Sequence, residues 1–232
     1  MGSAKIIVYK KILEKLFTQE LDPGESINRR DLAEELMVSI SPVNEAMAML
    51  ETEGIVQTIP RKGTFVSMLD WRDLMEILEL RVAIESQAAR IYSGEILREQ
   101  KDQLLRIAKE VDDESKNYID HVYSDIIFHY SLMELSGNRH LMNVFSSVIT
   151  KSFLLVKRVM IDEGVADGNA PHVDLINELV DANPSSITDI FYKNLFAGKQ
   201  YLLNNKNQQP LKGRIKSSSL DYVLSIMKGI KE

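Results

Sequence analysis

Apolar residues recur every three or four positions along most of the chain, and the interruptions mark its turns. Ile7, Ile12, Leu13 and Leu16 give one face to Ile6 to Phe17, which reads as a first helix. Asp22-Pro23-Gly24 then turns the chain. Leu32, Ala33 and Leu36 make a short stripe, Val38-Ser39 breaks it, and Val43, Ala46, Met47 and Leu50 resume it, so two short helices meet at a tight turn. Ser41-Pro42 suits the start of the second, because a hydroxyl accepts an orphan amide proton and proline is preset for the first helical position. Gly54 stops that helix. Ile55 to Ile59 and Thr64 to Met68 are β-prone runs joined by Pro60-Arg61-Lys62-Gly63, which reads as a hairpin. A helix-turn-helix followed by a hairpin is a winged helix.

Beyond a linker at Met68 to Asp70, with Asp70 as helix cap, the period is helical almost throughout. The pattern predicts helices over 71–93, 96–115, 118–136, 138–163, 171–182, 185–204 and 216–230, with a polar connector at Asn204 to Arg214. The expected fold is therefore mainly α: a winged helix-turn-helix over residues 1–69 and an all-helical antiparallel bundle over 70–232.

Composition narrows the function classes. A chain of 232 residues with 44% apolar content can build such cores. No uncharged apolar run of about eighteen residues and no signal peptide occur, which points to a cytoplasmic protein without a membrane partner. The absence of cysteine excludes disulfides and thiolate metal sites, leaving His121, His129, His140 and His172 as the imidazole supply. Charge qualifies the DNA-binding expectation: Met1 to Ser67 carries eight Lys/Arg against ten Asp/Glu, a net of −2. Its cations nevertheless gather at Arg29-Arg30 and Arg61-Lys62, the two places where a winged helix meets phosphates.

In the helical half, Arg81 falls within the stripe Leu74, Ile77, Leu78, Ile84, Ala88, Ile91. A guanidinium aimed at a core needs an anion. Glu85 one turn on is one candidate, solvent reached by snorkelling is another, and a ligand carboxylate gripped by the planar fork is the third. Asp125 and His129, four apart on the face of Val122, Ile126 and Met133, read either as an intrahelical hydrogen bond or as a metal half-site. His172 lies in the stripe of Leu175, Ile176 and Leu179, and Asn194 in that of Ile187, Ile190, Phe191 and Ala197. Four polar residues from three helices thus point into one core, where each other or a shared cation would satisfy them. His121 and His140 lie near helix starts and read as bland.

Two stretches resemble a known family. LDPGESI, RRDLAEELMVS, SPVNEAMAMLETEGIV and KGTFV are similar, in order, to the winged helix of the GntR transcription regulators; LMEILELRVAIESQAARI and DIIFHYSLMELSGN resemble the FCD effector domain of their FadR branch. The resemblance implies a divalent metal held by one Asp and three His, which correspond to Asp125, His129, His172 and Asn194. Asn194 departs from the family's last His, and an amide oxygen suits manganese better than zinc or nickel. The recognition helix departs too: Ile40 and Asn44 stand where the family carries arginines. Asn44 can read an adenine edge, Ile40 a thymine methyl and Ser41 a phosphate or base, which predicts an A/T-richer operator; alternatively Ile40 and Asn44 contact nothing. Arg30 matches a family DNA-contacting arginine, and Lys62-Gly63 match its wing.

The expectation is a ligand-responsive regulator and not an enzyme. It would be a homodimer through the helical half, bound to double-stranded DNA at a palindromic operator, with a small carboxylate effector held by Arg81 and a divalent metal. Two other readings compete, a metal-dependent hydrolase and an interaction module without DNA affinity.

Overall fold

The computed structural model describes residues 3–68, 70–163, 171–197 and 199. Ala4–Phe17 forms α1, but its buried face is Val8, Ile12, Leu13 and Phe17; Ile7 is 49% exposed. The inward face starts one residue later than the apolar periodicity suggested. Arg29–Glu35 (α2) is capped by Asn28, whose side-chain oxygen accepts from the amides of Arg30 and Asp31. Ile40–Thr52 (α3) begins one residue after Ser39, so Ser41-Pro42 lies inside the first turn, where proline's missing N–H breaks no intrahelical bond.

Both short helices end in the same way. The Ile55 amide bonds the Leu50 carbonyl and the Gly54 amide bonds that of Glu51, with Gly54 at φ +69°. At the end of α2 the Val38 amide reaches Ala33 and the Met37 amide reaches Glu34, with Met37 at φ +50°. These are paired Schellman bonds, which require a left-handed residue. Glycine supplies it after α3, whereas a methionine with no packing to offset the strain supplies it after α2, since Met37 is 93% exposed.

Val56–Ile59 (β2) and Gly63–Val66 (β3) pair antiparallel, Thr58 facing Thr64. A third strand, Ser26–Ile27 (β1), pairs with β3 in the order β1-β3-β2. Two residues are too few to show alternation, so this strand has no signature in the pattern.

Trp71–Tyr92 (α4) starts at Asp70 in a reciprocal capping box with Asp73. Glu95–Val111 (α5), Tyr118–Glu134 (α6), Arg139–Glu163 (α7), His172–Val180 (α8) and Ile187–Leu195 (α9) follow. Helix α5 stops four residues short of the predicted 115, and Ile91 on α4 is 42% exposed instead of joining the inward stripe. The helix predicted over 185–204 instead spans Ile187–Leu195, with Phe196 and Ala197 in a turn, and its predicted end, the predicted helix 216–230 and the connector before it lie outside the described residues. Among the described residues no helix is long and apolar enough to cross a membrane.

Two apolar cores result. One gathers Val8, Ile12, Val43, Met47, Leu50 and Val66 under the winged helix; the other gathers Ala88, Leu97, Phe128, Phe145, Ile176 and Phe191 in the bundle. Val122 of α6 belongs to the first core, and Ile126 of α6 and Phe153 of α7 pack against both. Relieving the strained turn gives a direct check on this local reading. Met37→Gly removes a left-handed penalty of about 1–2 kcal/mol at the cost of unfolded-state entropy, so stability in urea unfolding rises by about 0.5–1 kcal/mol.

Candidate functional site

Helices α6 and α8 carry the inward polar residues because their buried stripes are not wholly apolar. Asp125, His129 and His172 are 5%, 2% and 3% exposed, and one ligand atom from each lies within 4.8 Å of the others. Asp125 Oδ1 is 3.3 Å from His129 Nε2 and 3.5 Å from His172 Nε2, close enough for charge but without hydrogen-bond alignment, so this buried oxygen lacks a protein partner. Phe128 fixes the imidazoles by packing edge-on against both, at 5.3 Å from the His129 ring and 4.8 Å from that of His172.

The far nitrogens of both rings are held. His129 Nδ1 is 2.6 Å from Glu85 Oε2, and His172 Nδ1 is 2.8 Å from Asp112 Oδ1. Burial opposes the charge on both carboxylates, but Arg81 and His129 beside Glu85, and His172 beside Asp112, outweigh it and hold both below the usual carboxylate range. Ionised carboxylates only accept, so each Nδ1 donates. In a neutral ring this leaves an Nε2 lone pair turned toward Asp125, itself pulled well down by the two imidazoles despite its burial. Three acceptors facing one another demand a positive charge among them. Burial disfavours an imidazolium at His172, yet the bond to Asp112 and the neighbouring Asp125 carboxylate prevail and raise it to about 9, so without a cation His172 itself supplies that charge. With neutral imidazoles, three carboxylates (Glu85, Asp112, Asp125) against the single guanidinium of Arg81 leave the cluster at −2, the charge that one divalent cation cancels.

Arg81 is 3% exposed, which removes the snorkelling alternative. Its Nε donates to Glu85 Oε1 at 2.7 Å, its Nη1 to Ser152 Oγ at 3.2 Å, and its plane lies near the Phe153 ring, 5.5 Å from the centroid. Nη2 lacks a hydrogen-bond partner, as does the buried hydroxyl of Tyr92, which stands close enough to Glu85 to feel its charge. Of the three alternatives read from sequence the Glu85 salt bridge is present, and one donor of the fork is left over.

Asn194 sits apart in kind. It is 9% exposed on α9 and lines a pocket of about 80 Å³ between α8 and α9 with Pro171, Leu175 and Ile190. His121 Nδ1 meets the Val111 carbonyl, and His140 is exposed, its backbone amide bonding Asn138 Oδ1. Sequence reasoning missed Asp112, whose two oxygens accept the amides of His172 and Val173 and so cap α8 from sixty residues away. An acid at the end of a helix reads as solvated, and no local signal marks it. Ser152 was missed for the same reason.

On the winged helix, Ile40, Ser41 and Asn44 are exposed on the first turns of α3, and Arg30, Arg61, Lys62 and Gly63 are exposed around them. Arg61 takes φ +63° at the hairpin tip, after Pro60 and with the Lys62 amide bonded to Ile59, a type II turn. Arg29 is half-buried, its guanidinium turned inward onto Asn44, Thr58 and Thr64.

Both parts of the chain have known counterparts. Residues 7–66 match the bacterial regulatory proteins of the gntR family, and residues 76–191 match the FCD domain. The uncharacterized HTH-type transcriptional regulator YdhC of Bacillus subtilis is 31% identical over 147 residues, covering 60% of this chain and 64% of that one. The Nta operon transcriptional regulator of Aminobacter aminovorans is 34% identical over 128 residues, 54% of this chain and 60% of that one. The matched part thus spans about three fifths of the length of these curated relatives. Among solved structures, E. coli McbR/YncC superposes with a TM-score of 0.66 at 18% identity, covering 88% of this chain and 99% of that one. A structural-genomics protein from Rhodococcus sp. RHA1, described as a GntR transcriptional regulator, gives 0.61 at 19%, covering 92% and 100%. At such identities the two structures speak to the fold.

The buried pair makes a sharp energetic test. Arg81→Met strands the Glu85 charge in the bundle and lowers stability by about 3–5 kcal/mol, whereas the double variant Arg81→Met/Glu85→Gln recovers much of that loss. Chemical denaturation of both variants measures it; equal losses would show that the pair is not what stabilises this region.

Proposed function

The chain belongs to the gntR family of bacterial regulatory proteins and carries an FCD domain, and on that premise we propose that it is a cytoplasmic transcription regulator, bound to an operator through its winged helix and to a small carboxylate through its bundle. As a homodimer it meets a palindromic site with two α3 helices in successive major grooves. On each, Ile40, Ser41 and Asn44 face base edges, while Arg30 and the wing residues Arg61, Lys62 and Gly63 face phosphates and the adjacent groove. The acidic balance of this module makes binding without the right sequence weak, so specific contacts carry a larger share of the affinity.

The single observation that carries the sensing half is Asp125 Oδ1, buried beside two imidazole nitrogens without a hydrogen bond. This donor set fits a divalent cation: Asp125, His129 and His172 would hold it, and it would supply a Lewis-acidic anchor for a carboxylate oxygen, while Asn194, which lines the pocket between α8 and α9, is the fourth ligand that the family resemblance would assign. Glu85 and Asp112 fix the tautomer of each imidazole by accepting its Nδ1 proton. Arg81 offers its unpartnered Nη2, and Tyr92 its hydroxyl, to the effector's remaining oxygens.

A path from sensor to reader is built into two helices. Helix α6 carries Asp125 and His129, and also Val122 and Ile126, which pack on the winged-helix core. Helix α7 bonds Arg81 through Ser152, while two residues away Thr150 lies 3.4 Å from the Tyr9 hydroxyl, which donates to Glu53 just beyond α3. An effector that repositions either helix is felt by the core beneath α3, which is the differential interaction that allostery requires.

Elemental analysis of the purified full-length chain, paired with fluorescence anisotropy on DNA from its own upstream region, tests the proposal. The expected result is about one divalent ion per chain, lost in Asp125→Asn, and an operator affinity shifted about 5–150-fold by a small carboxylate. Arg81→Lys, which keeps the charge and loses the fork, abolishes that shift while leaving operator binding intact. A preparation that takes up no metal and ignores carboxylates rejects the sensing half; one that ignores its upstream DNA even at low salt rejects the other.

A further inference from the structure

Arg29 closes a ring of hydrogen bonds that starts and ends on α3. Its Nη1 donates to Asn44 Oδ1 at 2.9 Å, and its Nη2 to Thr64 Oγ1 at 2.7 Å and Thr58 Oγ1 at 3.2 Å. Thr58 returns to α3 two turns beyond Asn44, donating its amide to Glu51 Oε1 at 2.9 Å and its hydroxyl to Glu51 Oε2 at 3.2 Å. Thr58 and Thr64 are opposed across β2 and β3, 3.1 Å apart at their hydroxyls, so one guanidinium spans α2, α3 and the wing. Thr64 is 3% exposed, which shields this end of the ring from water.

The chemistry of a guanidinium decides how Asn44 is oriented. Arginine carries only donors, so the amide atom that faces it has to be the oxygen. The Asn44 nitrogen and its two N–H groups are then left for the exposed side, beside Ile40 and Ser41. Reading adenine with two bonds needs the amide oxygen to accept from N6 while the nitrogen donates to N7. Here Arg29 takes one lone pair of the oxygen, and the adjacent positive charge repels an N6 donor from the other. Guanine offers acceptors at both O6 and N7 and suits a donor backed by a cation.

We propose that Arg29 is the positioning residue that sets base preference: by holding the Asn44 amide oxygen it turns N–H groups to the groove, so the operator carries guanine, not adenine, opposite Asn44. This rests on the winged helix being a DNA-binding module. It replaces the adenine reading that Asn44 suggests by itself, and it gives Arg29 a task other than contacting phosphate.

Selection from a pool of duplexes with randomised half-sites, using the full-length dimer, tests it. Asn44→Ala identifies the position it reads, as the one whose preference disappears. The wild type prefers guanine there by about tenfold, and Arg29→Ala, which frees the amide oxygen, shifts the preference to adenine. Should alanine unfold the module, Arg29→Met carries the test, since it keeps an unbranched stem but removes both the charge and every donor. Adenine in the wild type, guanine retained in Arg29→Met, or a guanine preference that survives Asn44→Ala overturns the proposal while DNA binding stands. A wild type that enriches no sequence removes the DNA-binding reading and the proposal with it.

Discussion

A largely buried row of carboxylates, imidazoles and one guanidinium is the constraint around which the bundle is organised. From Arg81 it passes to Glu85, His129, Asp125, His172 and Asp112, joining α4, α6, α8 and the end of α5. Ions are costly to remove from water, and such a row persists only if each member is paired. Every outer member is: the guanidinium has Glu85 and Ser152, and Asp112 has an imidazole and two helix amides. The centre is not: Asp125 Oδ1 has two imidazole nitrogens at 3.3 and 3.5 Å and no hydrogen bond, a demand that a protonated His172 or a cation would meet. The apolar packing around it, with Phe128 wedged against both imidazoles, keeps water from relieving that demand.

The same helices also meet the winged-helix core. Val122 and Asp125 are less than one helical turn apart, one belonging to the reader's core and the other to the polar cluster. Close packing does not deform continuously, so a change of charge at the cluster moves α6 as a body or not at all. The reader, in turn, is stiffened by the Arg29 ring, which ties recognition helix and wing into one piece. A displacement of α3 therefore carries the wing with it instead of being absorbed at the hairpin.

Much of the fold was legible because helices announce themselves locally. The order of elements, the hairpin, the Asp70 cap and the inward sides of α6 and α8 all follow from spacings of two to four residues. The errors have one physical source. Ile7, Ile91 and the cap at Ser39 differ because the face a helix buries, and the residue at which it begins, are set by its neighbours. The two-residue strand β1 exists only by pairing with a strand nearly forty residues later.

The chemistry divides along the same line. Sequence by itself determined which residue types were available and on which helix faces: an inward Arg81, an Asp125/His129 pair, an inward His172, and an acidic winged helix lacking two arginines. Only tertiary structure decided their partners. Glu85 serves Arg81 and His129 at once, Asp112 caps a distant helix while orienting its first residue, and Arg29 turns inward to hold Asn44. Periodicity is a property of neighbouring residues, and it survives in the order of the letters. Which donor meets which acceptor depends on chain segments brought together from fifteen to about seventy residues apart, and that information appears only when the cores close.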